Sequence, residues 1–195
     1  MANELGGKKV AILAADGVER VELEQPRAAV VAAGAETELL SLHHGEIQAM
    51  NHDIEPANRF PVDRKVADAS VEDYDALILP GGVVNPDKLR IDRDAIQFVK
   101  DFFGSGKPIG VICHGPWSLV EADVVRGRTL TSWPSVRTDI RNAGGNVVDE
   151  EVVTDQNLTS SRWPDDLPAF CERIVREFAK GARAGAGYQT RSADV

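Results

Sequence analysis

Short apolar runs separated by helix-like segments are the feature that most restricts the fold of this chain. VAIL at 10–13, ALIL at 76–79 and IGVIC at 109–113 contain no charged residue, and turn-forming glycines follow each of them. Such runs are typical of strands that are buried on both faces of a parallel sheet. Segments with helical spacing lie between them, as in DRDAIQFVKDFFG at 92–104. The alternation predicts an α/β domain with a largely parallel sheet covered by helices on both faces.

The remaining segments complete one alternating domain. We expect a helix from Pro26 to Gly34, with Val18–Gln25 as a turn or short lead-in, because proline suits the first turn of a helix better than its middle. The irregular stretch from 45 to 64 predicts a hairpin or edge strands. Further strands are predicted at 35–43, 150–155 and 157–162, and helices at 114–125, 135–144 and 165–180. No repeat or linker divides the chain, so we expect a single domain over residues 1–180 and a flexible tail at 181–195.

The charge balance restricts the partners of the protein. The formal net charge is −9 over 195 residues, whereas a protein that binds a nucleic-acid backbone needs a basic face. The segment MANELGGKK is polar, and the apolar run after it is too short for a signal sequence or a membrane span. Two cysteines make no disulfide framework. We therefore expect a cytoplasmic protein that binds neither nucleic acid nor a membrane.

The stretch KPIGVICHGPW at 107–117 carries the strongest functional signal. A nucleophile elbow consists of a strand, a tight turn that bears the nucleophile, and a helix whose N-terminus points at it. Here Cys113 ends the strand, Gly115 permits the turn and Pro116 suits the first turn of the helix. The positive end of that helix is expected to lower the pKa of the thiol. Cys113 could instead be a small core residue, as free cysteines often are, but its place at the strand–helix junction favours a nucleophile.

His114 and two glycines supply further candidate groups. Adjacent residues at the end of a strand usually point to opposite sides, so contact between His114 and the sulfur is not assured. The chain has four histidines and none follows His114; a class I glutamine amidotransferase, which places its base late in the chain, is therefore a poor match. Gly81 and Gly82 follow a buried strand, and the N–H groups of Gly82 and His114 could form an oxyanion hole. Pro-Gly-Gly is also an ordinary turn.

Glu19 follows the Asp-Gly turn after the first strand, where its carboxyl could face the elbow. A carboxyl beside a thiol is favourable if it is protonated and donates a hydrogen bond, because two anions would repel each other. By composition alone Glu19 is indistinguishable from Glu22 and Glu24, and all three could be solvated. No cluster of His, Cys, Asp and Glu has the spacing of metal ligands, so we expect no metal.

Several motifs together resemble one family. The motifs, in chain order, are AADGVERVELEQP, DYDALILPGG, PIGVICHGPW, RGRTLTSWPSVRTDIRNAGGNVVDEEVV and TSSRWPDDLPAF. They are similar to the PfpI-type intracellular proteases of the ThiJ/PfpI superfamily, and the resemblance runs from about Lys8 to Phe178. It implies a flavodoxin-like α/β/α sandwich that works without a cofactor.

The resemblance also implies roles for individual residues. Cys113 would be the nucleophile with His114 beside it, and Glu19 would be the carboxyl that hydrogen-bonds the sulfur. In PfpI-type proteins an acidic residue after Pro-Gly-Gly completes the arrangement from a neighbouring subunit, and the matching residue here is Asp87. We therefore expect self-association into at least a homodimer. Gly81, Trp133 and Trp163 are candidate pocket liners, although tryptophans more often serve packing.

Three functional hypotheses follow. Members of the family have been assigned peptidase, deglycase and glyoxalase-type activities, in which a thiolate attacks a carbonyl carbon and a neighbouring group moves the proton. The leading hypothesis is a cofactor-free cysteine enzyme of stress response that acts on reactive aldehydes, their protein adducts or peptides. The alternative is a redox sensor that uses an oxidisable Cys113 without turnover. A holdase chaperone is the third.

Overall fold

The computed structural model describes residues 3–182. The flexible tail predicted for 181–195 therefore lies, from residue 183 onward, outside the described residues.

Strands and helices alternate along the chain as predicted. The strands are β1 (Lys9–Leu13), β2 (Val18–Glu19), β3 (Glu36–Ser41), β4 (Glu46–Asn51), β5 (Glu55–Pro61), β6 (Arg64–Lys65), β7 (Ala76–Leu79), β8 (Ile109–Ile112), β9 (Thr129–Leu130), β10 (Asn146–Val147), β11 (Val152–Asp155) and β12 (Leu158–Ser161). The helices are α1 (Arg20–Ala32), α2 (Val84–Arg90), α3 (Arg93–Gly104), α4 (Pro116–Glu121), α5 (Arg137–Asn142) and α6 (Leu167–Lys180). Short 3₁₀ turns occupy Val66–Asp68, Val71–Asp73, Pro134–Val136 and Pro164–Asp166.

Seven strands form the central sheet, in the order β11-β12-β8-β7-β1-β3-β6. All neighbouring pairs are parallel except β11 and β12. The parallel strands β1, β7 and β8 are adjacent, so their carboxyl ends lie at one edge of the sheet. Ligands bind at such an edge in open parallel sheets.

Alternate residues of the central strands point into two cores. Val10 and Ile12 of β1 pack in the core that α1 and α6 cover, whereas Ala11 and Leu13 pack in the core that α2 to α5 cover. Each large apolar side chain that is fully buried contributes about 1.5–3 kcal/mol. The observed architecture is therefore the predicted sandwich, with a largely parallel sheet between two layers of helices.

Helix α1 differs from the prediction. It begins at Arg20 and contains Pro26 in its interior, whereas the sequence favoured a start at the proline. Proline inside a helix removes one hydrogen bond and costs about 3 kcal/mol. The buried face of the helix, formed by Glu22, Leu23, Pro26 and Val30, offsets that cost by packing on the sheet. Gly34 does follow the helix end, with a left-handed φ of 99°.

The irregular stretch from 45 to 64 forms the predicted hairpin. Strands β4 and β5 pair antiparallel, and β2 adds to them in a small separate sheet. Helix α2 was not predicted, because VVNPDKLR contains an Asn-Pro pair that is also typical of turns. Both elements lie at the carboxyl edge of the central sheet.

Gly110 of β8 provides a test of the packing between the sheet and α6. A β-carbon added there would lie 2.8 Å from Ile174 Cγ2 and 3.2 Å from Phe170 Cζ. We expect G110A to lower the free energy of unfolding by about 1–3 kcal/mol, because the helix must move away from the strand. At exposed Gly104, where nothing lies within 4 Å of an added β-carbon, G104A should be neutral or stabilising. Urea unfolding measures both, and equal stabilities would contradict the packing described.

Candidate active site

Cys113 lies directly after β8, at a sharp turn that leads into α4. Its φ of 62° is in the left-handed region, which costs a non-glycine residue about 1–3 kcal/mol. Backbone hydrogen bonds hold this conformation, because the Cys113 N–H donates to the Ser161 carbonyl at 3.2 Å and its carbonyl accepts from the Trp133 N–H at 3.0 Å. A β-carbon added at Gly115 would lie 2.7 Å from the Leu79 carbonyl oxygen. The turn is therefore as tight as the sequence predicted, and it requires glycine.

The His114 imidazole contacts the Cys113 sulfur, with 3.2 Å between Nδ1 and Sγ. The left-handed backbone at Cys113 interrupts the alternation of a regular strand, which is why these neighbours meet. The other ring nitrogen, Nε2, lies 3.3 Å from Ser135 Oγ. Ser135 belongs to a 3₁₀ turn that is remote in sequence, and no motif singled it out.

Two tryptophans enclose the His114 ring. Trp133 stacks on it with 5.4 Å between the centroids and an interplanar angle of 27°, and the Trp117 ring lies 5.3 Å away. Trp163 meets Trp133 edge-on at 6.2 Å. Of the two tryptophans predicted to line the pocket, Trp133 therefore contacts the His114 ring and Trp163 lies one ring further out.

Burial lowers the pKa of His114, and the charge of Asp53 opposes this only in part. The imidazole is therefore neutral at pH 7. A neutral ring has one N–H and one lone pair. If Nε2 donates to Ser135, Nδ1 presents its lone pair to the Cys113 thiol.

The carboxyl beside the thiol belongs to Glu22. This side chain is fully buried, its Oε2 accepts the Gly81 N–H at 2.9 Å, and its carboxyl interacts with the Cys113 thiol, each affecting the pKa of the other. Burial raises the pKa of Glu22 to about 8. The carboxyl is therefore largely protonated at neutral pH and can donate to the sulfur.

The prediction that Glu19 hydrogen-bonds the sulfur is wrong. Its Oε2 instead accepts the N–H of Asp53 at 3.3 Å, and burial raises its pKa. The reason is the helix start at Arg20, since a helix advances about 100° per residue and brings Glu22 onto the face toward the sheet. The sequence alone could not separate these glutamates because the helix was expected to start at Pro26.

Gly81 and Gly82 allow the loop after β7 to approach the thiol. The N–H groups of Gly82 and His114 approach the Cys113 sulfur and lower the pKa of the thiol. A β-carbon at Gly81 would lie 2.6 Å from Cβ of Cys113, and one at Gly82 would lie 2.5 Å from the Gly17 carbonyl oxygen. The structure thus places the two predicted oxyanion-hole amides around the same atom.

Asn85, which is buried in α2, ties this loop to the end of β1. Its Oδ1 accepts the Ala15 N–H at 2.7 Å, and its Nδ2 donates to the carbonyls of Pro80 and Gly81, each at 3.0 Å. Sequence analysis missed Asn85, because asparagine beside proline also predicts an exposed turn. Because this side-chain amide both accepts and donates, it links the carboxyl ends of β1 and β7, which carry the site.

Burial raises the pKa of the Cys113 thiol, and the charge of Glu22 raises it further. The net shift is therefore upward, opposite to the lowering that was expected from the N-terminus of α4. The N–H groups of Gly82 and His114 do lower it, but desolvation is the larger effect for a side chain that is only 4% exposed. The resting site holds a thiol, a neutral imidazole and a protonated carboxyl.

Asp87 lies on the exposed surface of α2. Within residues 3–182 of one chain no hydrogen bond or ion pair joins it to His114, so its approach from a second subunit stays a prediction. Cys171 is half-buried in α6, where burial raises its pKa to about 11.

Residues 3–182 contain neither a cluster of metal ligands nor a membrane-spanning helix. This part of the chain has no group of three His, Cys, Asp or Glu side chains that could hold a metal ion. None of its helices combines the length and apolar character needed to cross a membrane.

Known proteins share this sequence pattern. The DJ-1/PfpI family, as a sequence profile, matches residues 8–177. A Bacillus subtilis protein named "Putative cysteine protease YraA" is 38% identical over 163 residues, which cover 84% of this chain and 94% of that protein. An uncharacterized protein of Staphylococcus epidermidis is 44% identical over 174 residues, which cover 87% of this chain and 97% of that protein.

Solved structures share the fold. A two-domain protein from Anabaena variabilis, with DJ-1/ThiJ/PfpI-like and ferritin-like domains, has a TM-score of 0.83 at 31% identity; the match covers 96% of this chain and 52% of that one. Drosophila melanogaster DJ-1beta has a TM-score of 0.79 at 25% identity, covering 88% of this chain and 90% of its own. With the family profile spanning nearly all of the described residues, the chain belongs to the DJ-1/PfpI family.

Proposed function

We propose that the protein is a cofactor-free cysteine enzyme that converts small 2-oxoaldehydes to 2-hydroxy acids. The observation that supports this most strongly is the set of groups around one sulfur. Nδ1 of His114, the Glu22 carboxyl and the N–H groups of Gly82 and His114 all face Cys113. Such a set can remove a thiol proton and stabilise an oxygen anion at one position.

The first step is addition of the thiol to the aldehyde. A C–S bond forms while the thiol proton passes to Nδ1 of His114, and the π electrons of the carbonyl move to its oxygen. The N–H groups of Gly82 and His114 hold that oxygen. The oxygen then takes the proton back from the imidazole, which leaves a neutral hemithioacetal on Cys113.

The second stage moves hydrogen between adjacent carbons. The imidazole removes the proton from the hemithioacetal carbon and returns it to the neighbouring ketone carbon. The hemithioacetal hydroxyl loses its proton and the former ketone oxygen gains one, which leaves a thioester beside a new alcohol. Water then hydrolyses the thioester, the C–S bond breaks, and a 2-hydroxy acid departs. The aldehyde carbon is oxidised and the ketone carbon is reduced, so no external oxidant or reductant is required.

The burial of the thiol favours a small substrate over a peptide. Cys113 is only 4% exposed, and the His114 ring beside it is stacked on Trp133, so an extended chain would have to displace ordered side chains to reach the sulfur. The name of the Bacillus subtilis relative points to proteolysis, and release of peptides from an unfolded protein would be its signature. Burial and the raised thiol pKa also count against a redox sensor, which needs an accessible thiolate.

Self-association is part of the proposal. Asp87 is exposed on α2, and Val83 and Val84 beside it are apolar residues with 36% and 41% exposure. A second copy that covers these residues would bring an additional carboxylate toward a site whose imidazole has no carboxylate contact within one described chain.

Replacement of the nucleophile tests the activity. We expect wild-type protein incubated with methylglyoxal to release lactate, and C113A to reduce the rate at least about 100-fold, because the bond-forming atom is lost. Lactate is the readout, since methylglyoxal also reacts with surface arginines and lysines in both proteins. C171A should retain the wild-type rate. Equal lactate release by wild type and C113A would contradict the proposal.

The protonation of Glu22 predicts a pH-dependent stability difference. The folded-state pKa of about 8 exceeds the ordinary value of 4.5, so the unfolded chain loses this proton first. Wild-type stability should therefore fall as pH rises from about 4.5 to 8, by on the order of 4 kcal/mol from this group. E22Q does not titrate, so its stability relative to wild type should grow over that range and then level off.

Urea unfolding of wild type and E22Q from pH 4 to 9 measures this difference. E55Q, which alters an exposed glutamate on β5, provides the baseline. A difference between E22Q and wild type that does not change with pH would show that Glu22 is ionised in the folded protein.

Complementation tests the role of Asp87. C113A and D87A are each expected to be inactive or strongly impaired alone, because one lacks the nucleophile and the other the carboxylate. A mixed assembly contains sites with Cys113 from one subunit and Asp87 from the other. Co-expression should therefore restore lactate release if Asp87 acts across the interface, whereas an Asp87 that acts within its own chain would give no recovery.

A further inference from the structure

The loop from Gly81 to Val83 directs three successive amides at three acceptors. The Gly81 N–H donates to Glu22 Oε2 at 2.9 Å and the Val83 N–H donates to Asp53 Oδ1 at 2.7 Å. Between them, the Gly82 N–H approaches the Cys113 sulfur and lowers the pKa of the thiol.

Asp53 comes from the turn of the β4–β5 hairpin, far from the loop in sequence. Its φ of 65° and the φ of 53° at His52 are both left-handed, and such residues persist only where their surroundings hold them. The Asp53 N–H donates to Glu19 Oε2 at 3.3 Å, and Asn51 accepts a hydrogen bond from Arg20 Nε at 2.8 Å. The hairpin turn is thus fastened to the start of α1 while its carboxylate reaches the loop.

The Gly82 amide needs such support because glycine does not restrict its own backbone. Gly82 has a φ of 80° and no side chain to hold it there. On its N-terminal side the peptide unit is held, because the Gly81 carbonyl accepts from Asn85 Nδ2 at 3.0 Å. On its C-terminal side the first residue with a side chain is Val83, and the hydrogen bond from the Val83 N–H to Asp53 is the first constraint there.

We propose that Asp53 is a positioning residue, whose carboxylate holds the Val83 amide so that the neighbouring Gly82 N–H stays directed at the Cys113 sulfur. This role connects the hydrogen bond that Glu19 accepts from the Asp53 N–H with the one that Asp53 accepts from the Val83 N–H. Glu19, which was predicted to contact the sulfur, holds the Asp53 backbone instead. The inference rests on Cys113 being the reactive thiol of the proposed function, but it does not depend on the substrate.

Two substitutions at Asp53 isolate the hydrogen bond from the charge. D53N and D53A both remove the negative charge, but only asparagine keeps an oxygen that can accept from Val83. The readout is the rate of alkylation of Cys113 by iodoacetamide at pH 8, followed by mass spectrometry of the Cys113 peptide. The Gly82 N–H favours the thiolate, so a misdirected amide should slow this reaction.

We expect D53A to react about 10-fold more slowly than wild type, which is less than the loss of a complete oxyanion-hole donor. D53N should retain the wild-type rate or exceed it, and E55A should match wild type as the control for loss of an acid in the same hairpin. Circular dichroism and urea unfolding verify that each variant is folded.

Two results would overturn the proposal: D53A that reacts as fast as wild type, or D53N that is slowed as much as D53A. Its failure is distinguishable from failure of the proposed activity. Consider the case in which wild type releases no lactate from methylglyoxal while D53A is still alkylated more slowly than D53N. In that case the proposed activity is wrong and the positioning role of Asp53 stands.

Discussion

The burial of the Glu22 carboxyl against the Cys113 thiol is the interaction on which the rest of the site depends. A carboxylate and a thiolate cannot both be charged at this distance in a buried site, because each desolvated charge would raise the energy of the other. Burial raises the pKa of Glu22 to about 8, so the carboxyl stays protonated and serves as a hydrogen-bond donor at neutral pH. Its other contact, with the Gly81 N–H, attaches the glycine loop to the same side chain.

Three strand ends supply the groups around the thiol. Strand β8 leads to Cys113, whose backbone is left-handed, and β7 leads into the glycine loop. Shortly after β1, the Ala15 N–H donates to Asn85 Oδ1. The strain at Cys113 and the close approach of Gly81 are tolerated because backbone hydrogen bonds hold each segment on both sides. The parallel sheet thus fixes these groups at its carboxyl edge, while the β4–β5 hairpin holds the glycine loop from outside the sheet through Asp53.

One misjudged helix start explains the main error in the site. Proline at position 26 indicated a helix that begins there, which left Glu19 as the first acid after the turn. In the structure, packing of the buried face on the sheet outweighs the cost of an internal proline. The helix therefore begins six residues earlier, and its rotation carries Glu22 to the sulfur. The error in the thiol pKa has a similar origin, since the depth of burial of Cys113 is a property of the packed domain.

Local chemistry in the sequence was sufficient for the α/β class, the parallel sheet, the elbow at Cys113 and the need for glycine at 81, 82 and 115. These features depend on runs of apolar residues and on backbone conformations that few residues adopt, and both are legible in a single stretch of chain. Ser135, Asn85 and Asp53 came into view only in the folded domain, because each acts through one polar atom that residues distant in sequence bring to the site. Only the tertiary structure decided which glutamate meets the thiol and whether that thiol is charged, since helix phase and desolvation are set by packing across the whole sheet.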